Sequence, residues 1–342
     1  MELLKRSVLM AAAAVSAATW AIGVTVLQPL SEPGEPDVLA ENNTYWAREL
    51  RWGALIALVL ALIALGRGGR WVTVGALITG GAWIGVDLGL DRIDMASGTW
   101  QLAAGAVATA LVCCAVAAAV PSVPRPGALF TAATVAAVTA GLATSTESPT
   151  DTEPALNSGS ATVGMALAVV AVAAAVRAAG PAGRPRFRTV VAAGWPRVRT
   201  VVAAGAVAAT VPWLLRLIPV GGGRLLGILA FTVLLVVTVA VLAAPRPPAR
   251  RDRLHYGAVA AVTAFALPVL FLPLALVSIV LKIGDPFTAL AANPPIEVDE
   301  DIVMILLAIP IGLVLGRFLL AFGLEPRTDA TEDSNPRFAA GA

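Results

Sequence analysis

Charged side chains inside apolar stretches are expensive to place in a membrane and are the first place to look for function. Asp87 lies in the apolar stretch 71–90, Arg216 in 199–219 and Arg317 in 302–323. About one helical turn separates Asp87 from the end of its stretch, with Asp91 and Arg92 close by. A carboxylate so placed is of a type that binds a cation or a proton, or pairs with an arginine at similar depth, and Arg216 is the candidate partner. Arg317 follows Gly316 near the far end of its stretch, where snorkelling to the headgroups accounts for it.

Other reactive residue types carry weaker signals. The densest acidic run is Glu297-Val298-Asp299-Glu300-Asp301. Hard divalent cations need several oxygen ligands in a fixed arrangement, which one short run does not supply, so an ordinary acidic loop is expected there. His255 is the only histidine, which excludes bis-histidine haem ligation, a zincin motif and a Ser–His dyad facing outside. No GxxxxGK[ST] sequence occurs, so the chain is not itself a P-loop ATPase. Cys113 and Cys114 are adjacent in mid-stretch; neighbours on a helix point apart, and inert buried thiols are expected. No catalytic residue, metal site or cofactor is expected, and the chain is read as a non-enzyme.

The elements that must position these residues follow from composition. Hydrophobic residues make up 58% of the 342 residues, charged residues 13%, and mean hydropathy is +0.83. Soluble domains carry about 25% charged residues, so the exterior of this fold must be apolar, as in a lipid bilayer. The predicted fold class is all-α, a polytopic transmembrane helical bundle. Its ten spans are 8–29, 49–66, 71–90, 99–120, 127–144, 160–178, 199–219, 225–244, 255–281 and 302–323. Residues 1–324 then form a single transmembrane domain, and 325–342 a disordered tail.

Charge sorts these connections into two sides. With ten spans, 18 of the 24 Lys and Arg fall in one set of loops and tails, or at their margins, and 16 of the 22 Asp and Glu in the other. Basic loops stay on the cytoplasmic side, which places both termini inside. Arg48, Arg51, Arg92, Arg224 and Lys282 break the rule. The seventh span, with Pro212, Arg216 and Pro219, is the weakest; without it the basic loop Arg246–Arg253 would lie outside. The N-terminal stretch is too long for a signal-peptide core and reads as an uncleaved first helix. Heavy use of Ala, Val, Arg and Gly points to a high-GC bacterial gene, hence to the bacterial plasma (inner) membrane.

Three further patterns bear on use. Residues 186–194 (RFRTVVAAG) recur as 197–205 (RVRTVVAAG), read as a duplication that lengthened a basic loop. Gly81, Gly85 and Gly89, and likewise Ala308, Gly312 and Gly316, repeat every four residues, a spacing that brings helix backbones close, within one chain or between two. Pro268, Pro273 and Pro310 interrupt late spans; broken helices are tolerated where they are buried in protein or line a cavity. Together with Asp87 and Arg216 these prolines mark the expected substrate path.

The leading functional expectation is a permease for an amphipathic or hydrophobic substrate, working alone or as the membrane subunit beside a separate cytoplasmic ATPase. A non-catalytic membrane partner, in assembly, immunity or sensing, is the alternative. A lipid-processing enzyme using Asp87, Asp91 or the 297–301 run comes third. The expected partners are the bilayer and another membrane protein or ATPase, not nucleic acid. In a cysteine-free background, Glu300→Cys should react with an impermeant thiol reagent on intact cells, and Arg251→Cys only after permeabilisation. The reverse labelling would remove the seventh span and contradict the ten-span topology.

Overall fold

Apolar runs of this length must satisfy their backbone groups internally, and helices do so segment by segment. The computed structural model describes residues 2–31, 38–146, 154–179, 187–219, 221–244, 252–292 and 304–324, and among them every regular element is helical. Helix α1 (Glu2–Ile22) runs through a π-helical turn (Gly23–Leu27) into α2 (Gln28–Ser31). Then come α3 (Val38–Leu65), α4 (Arg70–Asp91), α5 (Thr99–Ala119), α6 (Pro126–Ser145) and α7 (Pro154–Ala178). The chain continues through α8 (Phe187–Leu215), α9 (Gly222–Ala243), α10 (Asp252–Leu281), a short α11 (Asp285–Leu290) and α12 (Met304–Leu319). Among the described residues nine helices are long and apolar enough to cross a membrane. They cover nine of the ten expected spans. The remaining one is α3, whose apolar run begins with Arg48, Glu49 and Arg51.

The core is the pair α6–α7, with α12, α9 and α3 against it, and α1 and α8 packed on α7. Both central helices are built from Ala, Val, Gly and Thr, so their backbones approach closely. A Cβ on Gly164 would strike the Thr144 hydroxyl, and one on Gly141 the Thr232 hydroxyl. The buried threonines of α6 satisfy themselves by donating to carbonyls one turn back, Thr134 to Phe130, Thr139 to Val135 and Thr144 to Ala140, at 2.7–3.0 Å. That local bond lets a hydroxyl sit in an apolar interior without a partner on another helix. Around this core α5 packs on α1, α4 on α3, and α10 on α9 and α12.

Several boundaries differ from those read in the sequence. Helix α8 starts at Phe187 and carries nearly all of both repeat copies in one continuous helix, so the duplication extends a helix and not a loop. It ends at Leu215, and Arg216 to Ile218 form a tighter turn with bonds to residues three back. Pro219 disfavours helix at the residue before it and stops the span early. Arg216 is therefore at a helix end, not inside a span. Helix α11 lies within what was read as a plain loop. The acidic run 297–301 and the tail 325–342 lie outside the described residues.

The two small-residue stripes have different surroundings. Gly312 of α12 lies against α6, where a Cβ would come within 2.5 Å of the Val135 Cα, and one on Gly316 within 3.2 Å of the Thr131 Cα. Ala308 is fully buried on the same face. Gly81, Gly85 and Gly89 of α4 are exposed, with nothing near a built Cβ. Replacing Gly312 by Leu should therefore overpack α12 against α6 and destabilise the bundle by about 1–3 kcal/mol. Gly85→Leu should leave the melting temperature in detergent nearly unchanged, and equal losses for the two would contradict this packing.

Candidate functional site

Four charges meet inside the bundle, and α3 supplies two of them. Arg48 and Arg51 are one helical turn apart on α3, and Asp87 and Asp91 one turn apart on α4. The tight turn between these helices, with Arg67 and Gly68 both at positive φ, makes them antiparallel neighbours. At 1.5 Å per residue, Arg51 stands about 21 Å from the end of α3 and Asp87 about 26 Å from the start of α4. The two pairs therefore meet at one height, near the margin of a hydrocarbon layer about 30 Å thick.

The geometry is closed around Arg51 and Asp87, while the buried Arg48 Nη1 has no hydrogen-bond partner among the described residues. Arg51 Nε donates to Asp87 Oδ1 at 2.8 Å and its Nη2 to Asp91 Oδ2 at 3.2 Å, while Nη1 donates to Gln28 Oε1 at 2.5 Å. Arg48 Nε donates to Asp91 Oδ2 at 2.8 Å, and its guanidinium lies 5.7 Å from the centre of the Tyr45 ring. Two indoles complete the shell of Asp87: Trp20 Nε1 donates at 2.8 Å and Trp52 Nε1 at 3.0 Å. Arg48 and Asp87 are 0% exposed and Arg51 1%. Two positive and two negative charges cancel formally, which is the condition for burying any of them.

Local sequence prepares this arrangement. Pro29 has no N–H and its ring would collide with the carbonyl four residues back, so α1 widens into the π turn Gly23–Leu27 just before it. Glycine at 23 makes room for the arginine stem, since a Cβ there would sit 2.5 Å from Arg51 Cγ. Trp20 packs edge-on against Trp83 at 5.5 Å. From α11, Phe287 packs edge-on against Trp52 at 5.0 Å, and Arg92 donates to the Leu290 carbonyl at 3.4 Å. Helix α11 thus covers the cluster.

The residues singled out in the sequence separate here. Asp87 pairs with Arg51, not with Arg216. Arg216 instead closes the C-terminal end of α6, donating to the Thr144 and Thr146 carbonyls and to Ser160 Oγ, and a guanidinium suits the negative end of a helix. Nearby, the Thr146 hydroxyl donates to Glu49 Oε2 at 3.0 Å, so α3 also ties to this second polar knot. Pro268, Pro273 and Pro310 are exposed on continuous helices α10 and α12, where their rings face away from the bundle. Arg317 is exposed, as snorkelling requires.

A pocket of about 10 Å³ beside Gln28, Asp91, Asp94 and Met95 has room for about one water. Among the described residues no cluster of three or more His, Cys, Asp or Glu could hold a metal.

Reading the sequence alone missed Arg48, Arg51, Trp20, Trp52, Gln28 and Phe287. The available signal was the set of arginines that break the charge rule. Each exception has a partner in the fold: Arg48 and Arg51 the aspartates, Arg92 the Leu290 carbonyl, Arg224 the Ile218 carbonyl at 2.7 Å, and Lys282 Asp285 at 4.0 Å. No family model matches the chain, and neither a curated protein nor a solved structure does.

Removing one member of a buried pair strands the other. Asp87→Asn should destabilise the protein by about 3–5 kcal/mol, as should Arg51→Gln, because each leaves an uncompensated buried charge. The double variant should lose clearly less than the sum of the two. Additive losses in an unfolding double-mutant cycle would contradict the pairing.

Proposed function

We propose that this chain is a non-catalytic partner of another membrane protein, embedded in the bacterial plasma membrane by ten spans with both termini in the cytoplasm. The observation that carries this reading is the closed interior. Charges at membrane depth are paired with one another and with two indoles, the pocket beside them has room for about one water, and the α6–α7 core is filled by small side chains. A rigid body of this kind suits assembly, immunity or sensing, where the work is done by the helix faces and loops. On this reading the α4 stripe, Gly81, Gly85 and Gly89, stays free for a helix of the partner or of a second copy.

The permease remains the second reading, alone or beside a cytoplasmic ATPase, and one feature favours it. The small pocket reaches Asp91 between the π turn before Pro29 and the end of α4. Widening of this pocket would let a cation, a proton or an amphipathic substrate approach Asp91 and, one turn away, Asp87.

The double variant Arg51→Gln/Asp87→Asn separates the two, because it removes the charges while keeping hydrogen-bonding groups. A scaffold should keep its stoichiometric membrane partner on gentle solubilisation, and should complement a deletion strain as well as wild type. A folded double variant that keeps its partner but fails to complement, or solute flux through the purified wild-type chain in liposomes, would overturn the scaffold reading in favour of transport.

A further inference from the structure

Helices α4 and α5 both lean on the α1–α3 pair and leave a groove between them, away from the ion cluster. Its volume is about 240 Å³, below the roughly 300–1,000 Å³ of small-molecule pockets. Leu62 of α3 forms the floor, Val72 and Ala76 one wall, and Val112, Val116 and Val120 the other. The groove is therefore apolar, slender and open sideways, where the bilayer lies. A single acyl chain fits that shape.

One end of the groove is closed by two turns that bring arginines together. The backbone N–H of Arg125 donates to the Arg67 carbonyl at 3.0 Å, and Ser122 Oγ to the Gly66 carbonyl at 2.8 Å. Gly69 is pressed against Ser122, where a Cβ would come within 2.6 Å. Arg67, Arg70 and Arg125 thus share one rim, with Arg70 and Arg125 exposed. Trp71 stands at the same end, 78% exposed, with the Arg70 guanidinium 5.9 Å from its ring centre. The acid of the neighbouring α1 terminus, Glu2, is engaged by Lys5 at 3.3 Å and Arg177 at 3.9 Å and also feels the charge of Arg67; three cations thus face this one acid, and the rim keeps a net positive charge.

We infer that the α4–α5 groove is a binding site for an anionic glycerophospholipid of the leaflet at this end. One acyl chain lies along Leu62, Val72 and Val116, and the phosphate meets Arg67, Arg70 and Arg125. The charge of the rim selects the headgroup, as juxtamembrane basic clusters do, and Trp71 sits at the headgroup level that indoles favour.

Native mass spectrometry of the full chain in mild detergent, titrated with phosphatidylglycerol or phosphatidylcholine, tests this. Wild type should retain one phosphatidylglycerol per chain with about tenfold preference over phosphatidylcholine. The triple variant Arg67→Gln/Arg70→Gln/Arg125→Gln should lose that preference. Gly75→Phe should weaken both lipids alike, because Gly75 lines the groove and has free space at its Cβ. Thermal melting checks that both variants stay folded. Equal retention of the two lipids by wild type, an unchanged preference in the triple variant, undiminished lipid on Gly75→Phe, or a lipid-free dimer would each overturn the assignment.

Discussion

The buried contact between Arg51 and Asp87 is the interaction on which the arrangement of the first four helices depends. A guanidinium and a carboxylate can leave water only together and only with their remaining hydrogen-bonding groups satisfied. Gln28, Asp91, Trp20 and Trp52 meet that requirement. Each sits on a different turn of α1, α2, α3 or α4, so the requirement fixes the relative height and rotation of these helices at once. The π turn before Pro29, the glycine at 23 and the cover of Phe287 from α11 are local adjustments around that contact.

Helix α3 owes its position to the same chemistry. Three charges, Arg48, Glu49 and Arg51, open its apolar run, yet Tyr45, Leu50, Trp52 and most residues through Leu65 are buried. Its charged turn is accepted into the bundle because every charge there finds a partner: Arg48 and Arg51 on α4, and Glu49 on the Thr146 hydroxyl at the end of α6. One turn of α3 therefore joins the α1–α4 group to the α6–α7 core. Beyond it the core relies on another principle, close approach of small residues with threonine hydroxyls bonded to their own helix.

Hydropathy made most helices legible, because long apolar runs leave the backbone few alternatives. The arginines at 48 and 51 were visible as misfits in the charge pattern, but a misfit does not name its partner. Depth alone suggested Arg216 for Asp87, whereas the short turn at 66–69 makes α3 the adjacent helix and brings Arg51 to the same height. Arg216 was read as intramembrane because the run 199–219 looked continuous; Pro219 ends the helix first. The prolines at 268, 273 and 310 were read as cavity markers, but nothing in a sequence tells which face of a helix a ring occupies. Here they face outward. Helix α11 was invisible because six residues carry too little periodicity to register.

The central claim is that the cluster is a closed structural lock. Indole N–H exchange into deuterated water, followed by NMR on indole-labelled protein, tests it most directly. Trp20 and Trp52, which donate to Asp87, should remain protected long after the exposed Trp71 and Trp100 have exchanged. Exchange of Trp20 and Trp52 as fast as that of the exposed indoles would mean that water reaches Asp87 in the resting protein, and would contradict the lock.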